Sequence, residues 1–172
     1  TIYWQHRLFH VVPLLWRFHR VHHTDMDYDL TTGNRFHPVS ILISSAIKIM
    51  LVLIMGASPT SILIAEVLLN VTSMFNHSNL KLPSKVDSML RKILVTPDMH
   101  RIHHSTDEFE HNQNFGFNFS WWDRLFNSYL EQANTAHETL DIGITGMQDR
   151  ESLQLLTMLL QPFRNPGDAN DN

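Results

Sequence analysis

The residues of this sequence best suited to chemistry are histidines that recur at helical spacing. One box reads W-R-F-H-R-V-H-H, and a second repeats its spacing in P-D-M-H-R-I-H-H-S. Residues three and four positions apart lie on one face of a helix. Neutral imidazole is the commonest metal ligand and suits iron, copper, zinc or nickel. With an H-x-x-x-H pair upstream, these boxes predict a metal site from eight of the twelve histidines: His6, His10, His19, His22, His23, His100, His103 and His104.

A purely structural role for these histidines is the alternative interpretation. A single histidine on an apolar face is usually a packed or surface residue. Eight in three clusters are different, because neighbouring imidazoles repel one another once protonated and gain little from packing. A low-complexity histidine tract is excluded by the other residues that punctuate each box. Ligation is therefore the stronger interpretation.

The amino-acid composition limits which residue types can bind a metal and which kinds of partner the protein can have. The 172 residues include no cysteine, which excludes disulfides, thiolate haem, iron–sulfur clusters and cysteine-type zinc fingers. Any metal must be held by histidine, with help from Asp, Glu or Asn. The net charge of −4 and the scattered basic residues indicate no nucleic-acid-binding surface. The length fits one domain, and the start at Thr1, close to the first box, predicts a fragment of a longer protein.

Proline and capping signals place the helices that carry the boxes. We predict a helix over residues 1–12 that ends at Pro13, and a second helix from about Pro13 to His23. The run Thr96-Pro97-Asp98 combines a cap, a proline at the first position and an acid in the first turn. It predicts that the last box lies on the opening turns of a helix.

Three further segments complete the secondary-structure prediction. Ser84, with Asp87 three residues later, resembles a capping box and predicts a short amphipathic helix at the membrane interface. One more amphipathic helix is expected around residues 151–160. The chain after Pro166 is expected to be disordered.

An apolar hairpin lies between the two large boxes. Residues 39–55 and 60–75 are mostly Ile, Leu, Val and Met, and a turn at residues 56–59 joins them. Each arm is a little shorter than the roughly 20 residues that cross a bilayer, so a soluble helical hairpin is the alternative. The apolar composition favours the membrane. Lys48 and Glu66 are equally far from the turn, and we expect them to pair within it.

The hairpin also predicts topology, because two consecutive crossings return the chain to its starting side. The positive-inside rule makes that side cytoplasmic, since it carries most of the flanking basic residues: Arg7, Arg17, Arg20, Lys81, Lys85, Arg91, Lys92 and Arg101. The predicted fold is therefore all-α, an integral membrane protein with a transmembrane helical hairpin and a cytosolic His-rich helical cap. We assign residues 1–130 to the catalytic domain and residues 131–172 to a polar C-terminal extension.

The three boxes around a hairpin resemble the fatty acid hydroxylase/sterol desaturase superfamily. That superfamily carries H-x-x-x-H, H-x-x-H-H and a second H-x-x-H-H in this order. The stretches R-F-H-P, N-H-S-N, N-F-G and W-W-D-R-L-F look most similar to bacterial sterol-desaturase-like members, near the alkylglycerol monooxygenase branch. The resemblance covers about residues 1–130. Two departures are that the family's upstream membrane helices do not appear in this sequence, and that Asn127-Ser128 stands where many relatives have Gly-Thr.

The resemblance implies a multi-pass membrane oxidoreductase with two non-haem iron ions in the cap. Such enzymes use O2 and two electrons to hydroxylate or desaturate a lipid, and cytochrome b5, ferredoxin or a reductase would donate the electrons. The implied ligands and catalytic residues are the eight box histidines and His77, with His37 as a further ligand or a neighbour of one. Similarity to bacterial members favours the bacterial inner membrane over the endoplasmic reticulum.

Two other functions are compatible with clustered histidines. The first is a non-enzymatic membrane metal-binding or transport protein, although transporters normally place histidines within the crossing helices, and these boxes flank the hairpin. The second is a zinc hydrolase, for which the motif H-E-x-x-H is expected and absent from this sequence. Iron in the purified protein would favour the oxygenase, and a single zinc ion the hydrolase.

Overall fold

The computed structural model describes residues 1–148 and 153–164. Within these ranges the regular structure is helical, with two isolated bridges and no strand. The all-α class is therefore confirmed for the described part of the chain. The expected disorder after Pro166, and the start of the helix expected around residues 151–160, lie outside the described residues.

The helices follow one another with short connections. In chain order they are α1 Ile2–Val11, α2 Pro13–His23, α3 Pro38–Met55, α4 Pro59–Asn76, α5 Ser84–Leu90, α6 Pro97–His103, α7 Glu108–His111, α8 Trp121–Leu125 and α9 Leu155–Leu160. Short 3-10 turns cover Thr32–Asn34 and Gln161–Phe163.

Helices α1 and α2 form a pair with a single residue between them. Val12 is extended, with φ −88° and ψ 114°, and its N–H donates to the carbonyl oxygen of Leu8. Pro13 is the first residue of α2, where its missing N–H removes no helical hydrogen bond. The predicted break at Pro13 is confirmed, and the sharp turn lays the histidines of α1 against those of α2.

Helices α3 and α4 form the predicted hairpin, each with 18 residues. Gly56 ends α3 with φ 61°, a left-handed conformation that glycine adopts without steric cost, and Ser58 caps α4 by accepting from the N–H of Ser61. In the described part of the chain, only α3 is long and apolar enough to cross a membrane. A double crossing therefore stays a prediction.

The expected pairing across the hairpin is confirmed. The ammonium group of Lys48 donates to both carboxylate oxygens of Glu66, at 2.7 and 2.8 Å. Around this pair the outward faces of both helices expose apolar side chains, among them Leu53, Ile54 and Val71. The hairpin thus has an apolar outer surface and a charged pair between its arms.

The capping prediction is confirmed at one helix and wrong at the other. The side chain of Thr96 accepts from the N–H of Met99 at the start of α6. At α5 the cap position is taken by Pro83, so Ser84 lies inside the first turn and makes no capping bond. Asp87 pairs with Arg91 instead of closing a capping box.

The C-terminal segment packs against α2. The guanidinium of Arg20, which is 3% exposed, donates to the carbonyl oxygens of Gln161 and Arg164. The ring of Phe163 lies 6.2 Å from the ring of Phe18, edge to face. The 3-10 turn Gln161–Phe163, which directly follows α9, thus packs against α2.

Candidate metal centre

Nine of the ten histidines singled out from the sequence come together where α1, α2, α4 and α6 meet. They form two groups, and within each group one donor atom per ring lies within 4.8 Å of all the others. The first group contains His6, His10, His19, His23 and His103, and the second contains His22, His77, His100 and His104.

Each H-x-x-H-H box divides its histidines between the two groups in the same manner. His19 and His23, four residues apart, belong to the first group, whereas His22 belongs to the second. In the last box His100 and His104 belong to the second group, and His103 to the first. Successive helical residues point about 100° apart, so adjacent histidines face different sides while residues four apart overlie each other. The spacing therefore builds two sites rather than one.

The distances between ring nitrogens fit ligands that share an ion. The Nε2 atoms of His6 and His103 are 3.0 Å apart. The Nε2 atom of His77 lies 3.1 Å from that of His100 and 3.2 Å from that of His22. Two ligand atoms about 2.1 Å from one ion, at right angles, are separated by about 3.0 Å. This spacing supports metal coordination.

The two groups adjoin. The rings of His23 and His104, from different groups, stack with centroids 4.3 Å apart and an interplanar angle of 16°. The rings of His100 and His103 also stack across the groups, at 5.1 Å. The arrangement therefore offers two metal sites side by side.

Burial and unsatisfied nitrogens show that the residues fit metal ions. Eight of the nine histidines are at most 9% exposed, and His103 and His104 are fully buried. Several buried ring nitrogens have no hydrogen-bond partner, including both nitrogens of His10 and of His104 and the Nε2 atoms of His19 and His23. An unpaired buried polar atom is costly, and a bound cation would satisfy these nitrogens.

The electrostatics favour the form of histidine that binds metal. Burial lowers the pKa of His6 and of His77 to about 4. The pKa values of His10, His23 and His104 lie well below the ordinary value of 6.5. Burial is the largest cause, and repulsion from the neighbouring imidazoles is the second. These rings are neutral at pH 7 and keep a free lone pair.

Backbone carbonyl groups orient three of the rings. The Nδ1–H groups of His6, His77 and His103 donate to carbonyl oxygens at 2.9, 2.7 and 2.7 Å. The acceptors belong to Phe115, Ser73 and Gln113 respectively. Such a bond fixes the tautomer and leaves Nε2 as the ligand atom.

His37 lies outside both groups. Its Nδ1 atom accepts from the N–H of Val39 at 3.2 Å, which caps α3, and its Nε2–H donates to the carbonyl oxygen of Leu159 at 3.3 Å. Both ring nitrogens are engaged. The structure thus gives His37 a capping and docking role rather than a place among the ligand atoms.

Two aromatic residues beside the first group were not singled out from the sequence. The ring of Trp16 lies 4.8 Å from that of His10 and 5.3 Å from that of His23. The ring of His111 stacks on that of Trp16 with an interplanar angle of 9°. Trp16 could have been found, because it precedes His19 by three residues on the same helix. His111 had no comparable signal.

A cavity of about 310 Å³ opens beside the histidines. His22, His77 and His100 line one part of it, and Lys48 and Glu66 line another. His6 and His19 of the first group also line it, so the cavity extends from both groups into the space between the arms of the hairpin.

Comparison with known proteins identifies the family. The fatty acid hydroxylase family matches over residues 1–128. The chain belongs to the fatty acid hydroxylase family. This confirms the resemblance inferred from the histidine boxes.

Individual relatives agree with this family. The chain is 31% identical over 166 residues to ornithine lipid hydroxylase OlsE from Rhizobium tropici. The aligned region covers 96% of this chain and 48% of that protein. It is 28% identical over 130 residues to alkylglycerol monooxygenase from Homo sapiens, covering 74% of this chain and 27% of that protein. The chain thus spans less than half the length of these relatives. No solved structure matches.

Proposed function

We propose that the protein is a membrane-bound non-haem di-iron oxygenase that hydroxylates or desaturates a lipid. The observation that carries this proposal is the convergence of nine histidines into two adjoining groups. The names of the relatives, a lipid hydroxylase and an alkylglycerol monooxygenase, support a lipid substrate. O2 would be the co-substrate, and cytochrome b5, ferredoxin or a reductase would donate the electrons. In a hydroxylation one oxygen atom enters the lipid and the other leaves as water, with two electrons and two protons taken up.

The proposed ligands follow the two groups. His6, His10, His19, His23 and His103 would hold one iron ion, and His22, His77, His100 and His104 the other. When bound, the iron ions would supply the oxidising power that an unactivated C–H bond requires and that no side chain provides.

The chain's own residues hold the rings in place and keep water away. The carbonyl oxygens that accept from His6, His77 and His103 fix the direction of each Nε2 atom. Phe36 stacks on His22, with centroids 4.5 Å apart. Phe115 packs edge-on against the rings of the first group. These contacts supply the pre-organised, water-poor surroundings that a strong oxidant needs.

We further propose that both arms of the hairpin cross the bilayer and that the histidines face the cytoplasm, with the bacterial inner membrane as the location. The exposed apolar outer faces of α3 and α4 support contact with lipid. Met89 of α5 and Ile93 just after it are also exposed, which supports an interfacial position for this segment.

The test is to measure iron and lipid oxidation on the same preparations. Purified wild-type protein should contain iron and add one oxygen atom to, or remove two hydrogen atoms from, a lipid when O2 and a reductant are supplied. The variant His103→Ala should lose its lipid oxidation and about half of its iron, because it removes a ring from the first group alone. His137→Ala is the matched control, since His137 belongs to neither group. Zinc in place of iron, or full iron and turnover in His103→Ala, would contradict the proposal.

A further inference from the structure

Helix α9 and the 3-10 turn after it present an apolar surface on the outside of the protein. The helix reads L-L-T-M-L-L, carries no charge, and has no buried residue. Its leucines and the ring of Phe163 are exposed, from 37% at Leu159 to 70% at Phe163. Residues four apart overlie each other on a helix, so one stripe contains Leu155, Leu156, Leu159 and Leu160. A contiguous exposed apolar surface marks a site of contact with a partner or a membrane.

The side of this segment that faces the protein is held by polar contacts. Gln161 and Pro162 are buried. The guanidinium of Arg20 donates to the carbonyl oxygens of Gln161 and Arg164, and the hydroxyl of Thr24 donates to the side-chain oxygen of Gln161 at 3.4 Å. The leucine stripe takes no part in these bonds. Within the described residues, packing on α2 therefore does not account for it.

A contact with His37 shows where the segment lies relative to the hairpin. The Nε2–H of His37 donates to the carbonyl oxygen of Leu159 at 3.3 Å, and His37 itself caps α3. Helix α9 therefore ends beside the first turn of α3, where Ile41 and Leu42 are exposed as well. Helix α3 is long and apolar enough to cross a membrane. The stripe thus lies at the level where α3 would enter the bilayer.

A bilayer fits this surface better than a second protein does. Lipid covers an exposed apolar stripe without the shaped groove that an amphipathic helix needs on a protein partner. With six residues, α9 is only about 9 Å long and cannot span the hydrocarbon core, so it must lie along the surface. Arg164, which is exposed just after the segment, is the kind of residue that keeps its charge among the headgroups beside such a helix.

We propose that α9 and Phe163 lie in the boundary between the headgroups and the acyl chains, beside the start of α3, with the leucine stripe towards the acyl chains. Because Arg20 joins the segment to α2, it connects the membrane surface to a helix that carries histidines of both groups. This inference goes beyond the oxidation chemistry and rests only on the proposed crossing of the bilayer by the hairpin.

The absence of cysteine from the sequence allows a single label to be placed for the test. The iron-loaded variant Leu156→Cys, carrying a small fluorophore, is reconstituted into vesicles of phosphatidylethanolamine and phosphatidylglycerol. An interfacial helix buries its apolar face about 5–10 Å deep, so a nitroxide near the headgroup end of the acyl chain should quench the label about twofold more than one near the terminal methyl. Iodide in the water should quench it weakly. Leu160→Cys, one turn later on the same stripe, should behave alike and serves if Leu156→Cys does not fold.

Two further labels are the matched controls. Glu108→Cys lies on an exposed charged position of α7 and should be quenched by iodide. Ile49→Cys lies on the exposed apolar face of α3 and should be quenched most by the nitroxide near the terminal methyl. Weak lipid quenching at residue 49 would contradict the proposed crossing, whereas the labels at residues 156 and 160 report on α9 separately.

Three outcomes would overturn the interfacial position of α9. Iodide quenching as strong at residues 156 and 160 as at residue 108 would place the stripe in water. Protection from iodide and from both nitroxides would show that a protein surface covers the leucines. Stronger quenching by the nitroxide near the terminal methyl would place the segment deeper than the headgroup boundary.

Discussion

Acid should unfold the metal-free protein before it unfolds the iron-loaded protein. Burial lowers the pKa of His77 to about 4 in the folded chain, whereas the same residue in the unfolded chain titrates near 6.5. As the pH falls below 6.5 the unfolded state therefore binds more protons than the folded state, and the free energy of unfolding decreases. The loss begins near pH 6.5 and is complete near pH 4.

The size of this effect can be worked out for His77, which is 1% exposed. A difference of one pKa unit corresponds to 1.36 kcal/mol, so His77 alone lowers the free energy of unfolding by about 2 kcal/mol at pH 5. The buried rings whose pKa values lie well below 6.5, such as His23 and His104, add to the loss in the same direction. The total is a large part of a typical folding free energy of about 5–15 kcal/mol.

The assay is thermal unfolding in detergent at pH 7, 6 and 5, with and without chelator. The metal-free protein should lose its transition, or have it several degrees lower, by pH 5. The iron-loaded protein should remain folded to a lower pH, because a coordinated ring cannot take up a proton until the metal leaves. A metal-free protein whose midpoint is the same at pH 7 and pH 5 would refute the argument that these rings are held neutral by burial.

Three further predictions concern single sites. His22→Ala and His23→Ala should each lose about half of the bound iron, because these neighbours belong to different groups; loss of all iron in both would contradict the two-group assignment. Lys48→Leu should lower the yield of folded protein more than Lys48→Leu/Glu66→Leu, since the single change leaves Glu66 as a charge without its partner between the arms of the hairpin; equal yields on gel filtration would argue against the pair. Burial raises the pKa of Asp123 to about 6, so its contribution to stability is lost as the pH rises from about 4 through 6. Iron-loaded Asp123→Asn should therefore gain stability at pH 7, by at most about 3 kcal/mol, measured by chemical unfolding, because the amide keeps one acceptor oxygen for the N–H of Gly116 but not the second acceptor of the carboxylate; no gain would contradict a carboxylate destabilised by burial.

The parts of the fold that could be predicted are those with a local signal. Pro13 ends one helix and starts another because its ring and missing N–H act on its immediate neighbours. The pairing of Lys48 with Glu66 followed from their equal distance from a turn. At Ser84 the local signal was misread, because Pro83 stands in the cap position and moves Ser84 into the helix.

Other parts depend on contacts between distant segments, for which the sequence carries no local pattern. Arg20 binds the backbone of Gln161, 141 residues later, and that contact docks the C-terminal segment on α2. His111 reaches Trp16 across 95 residues. The role of His37 could have been read differently, since a polar residue directly before Pro38 is also a signal for a helix cap.

The distribution of the histidines along the chain also sets when most of the ligands of each site are made during synthesis. Four members of the first group lie within the first 23 residues, whereas three members of the second come after the hairpin. On the proposed assignment, a nascent chain presents a nearly full set of imidazoles before its fold has closed. Copper and zinc bind such nitrogen ligands more tightly than ferrous iron does. The first site is thus the one exposed to capture of the wrong metal, and His103, the last of its ligands to be made, completes it only when α6 reaches α1.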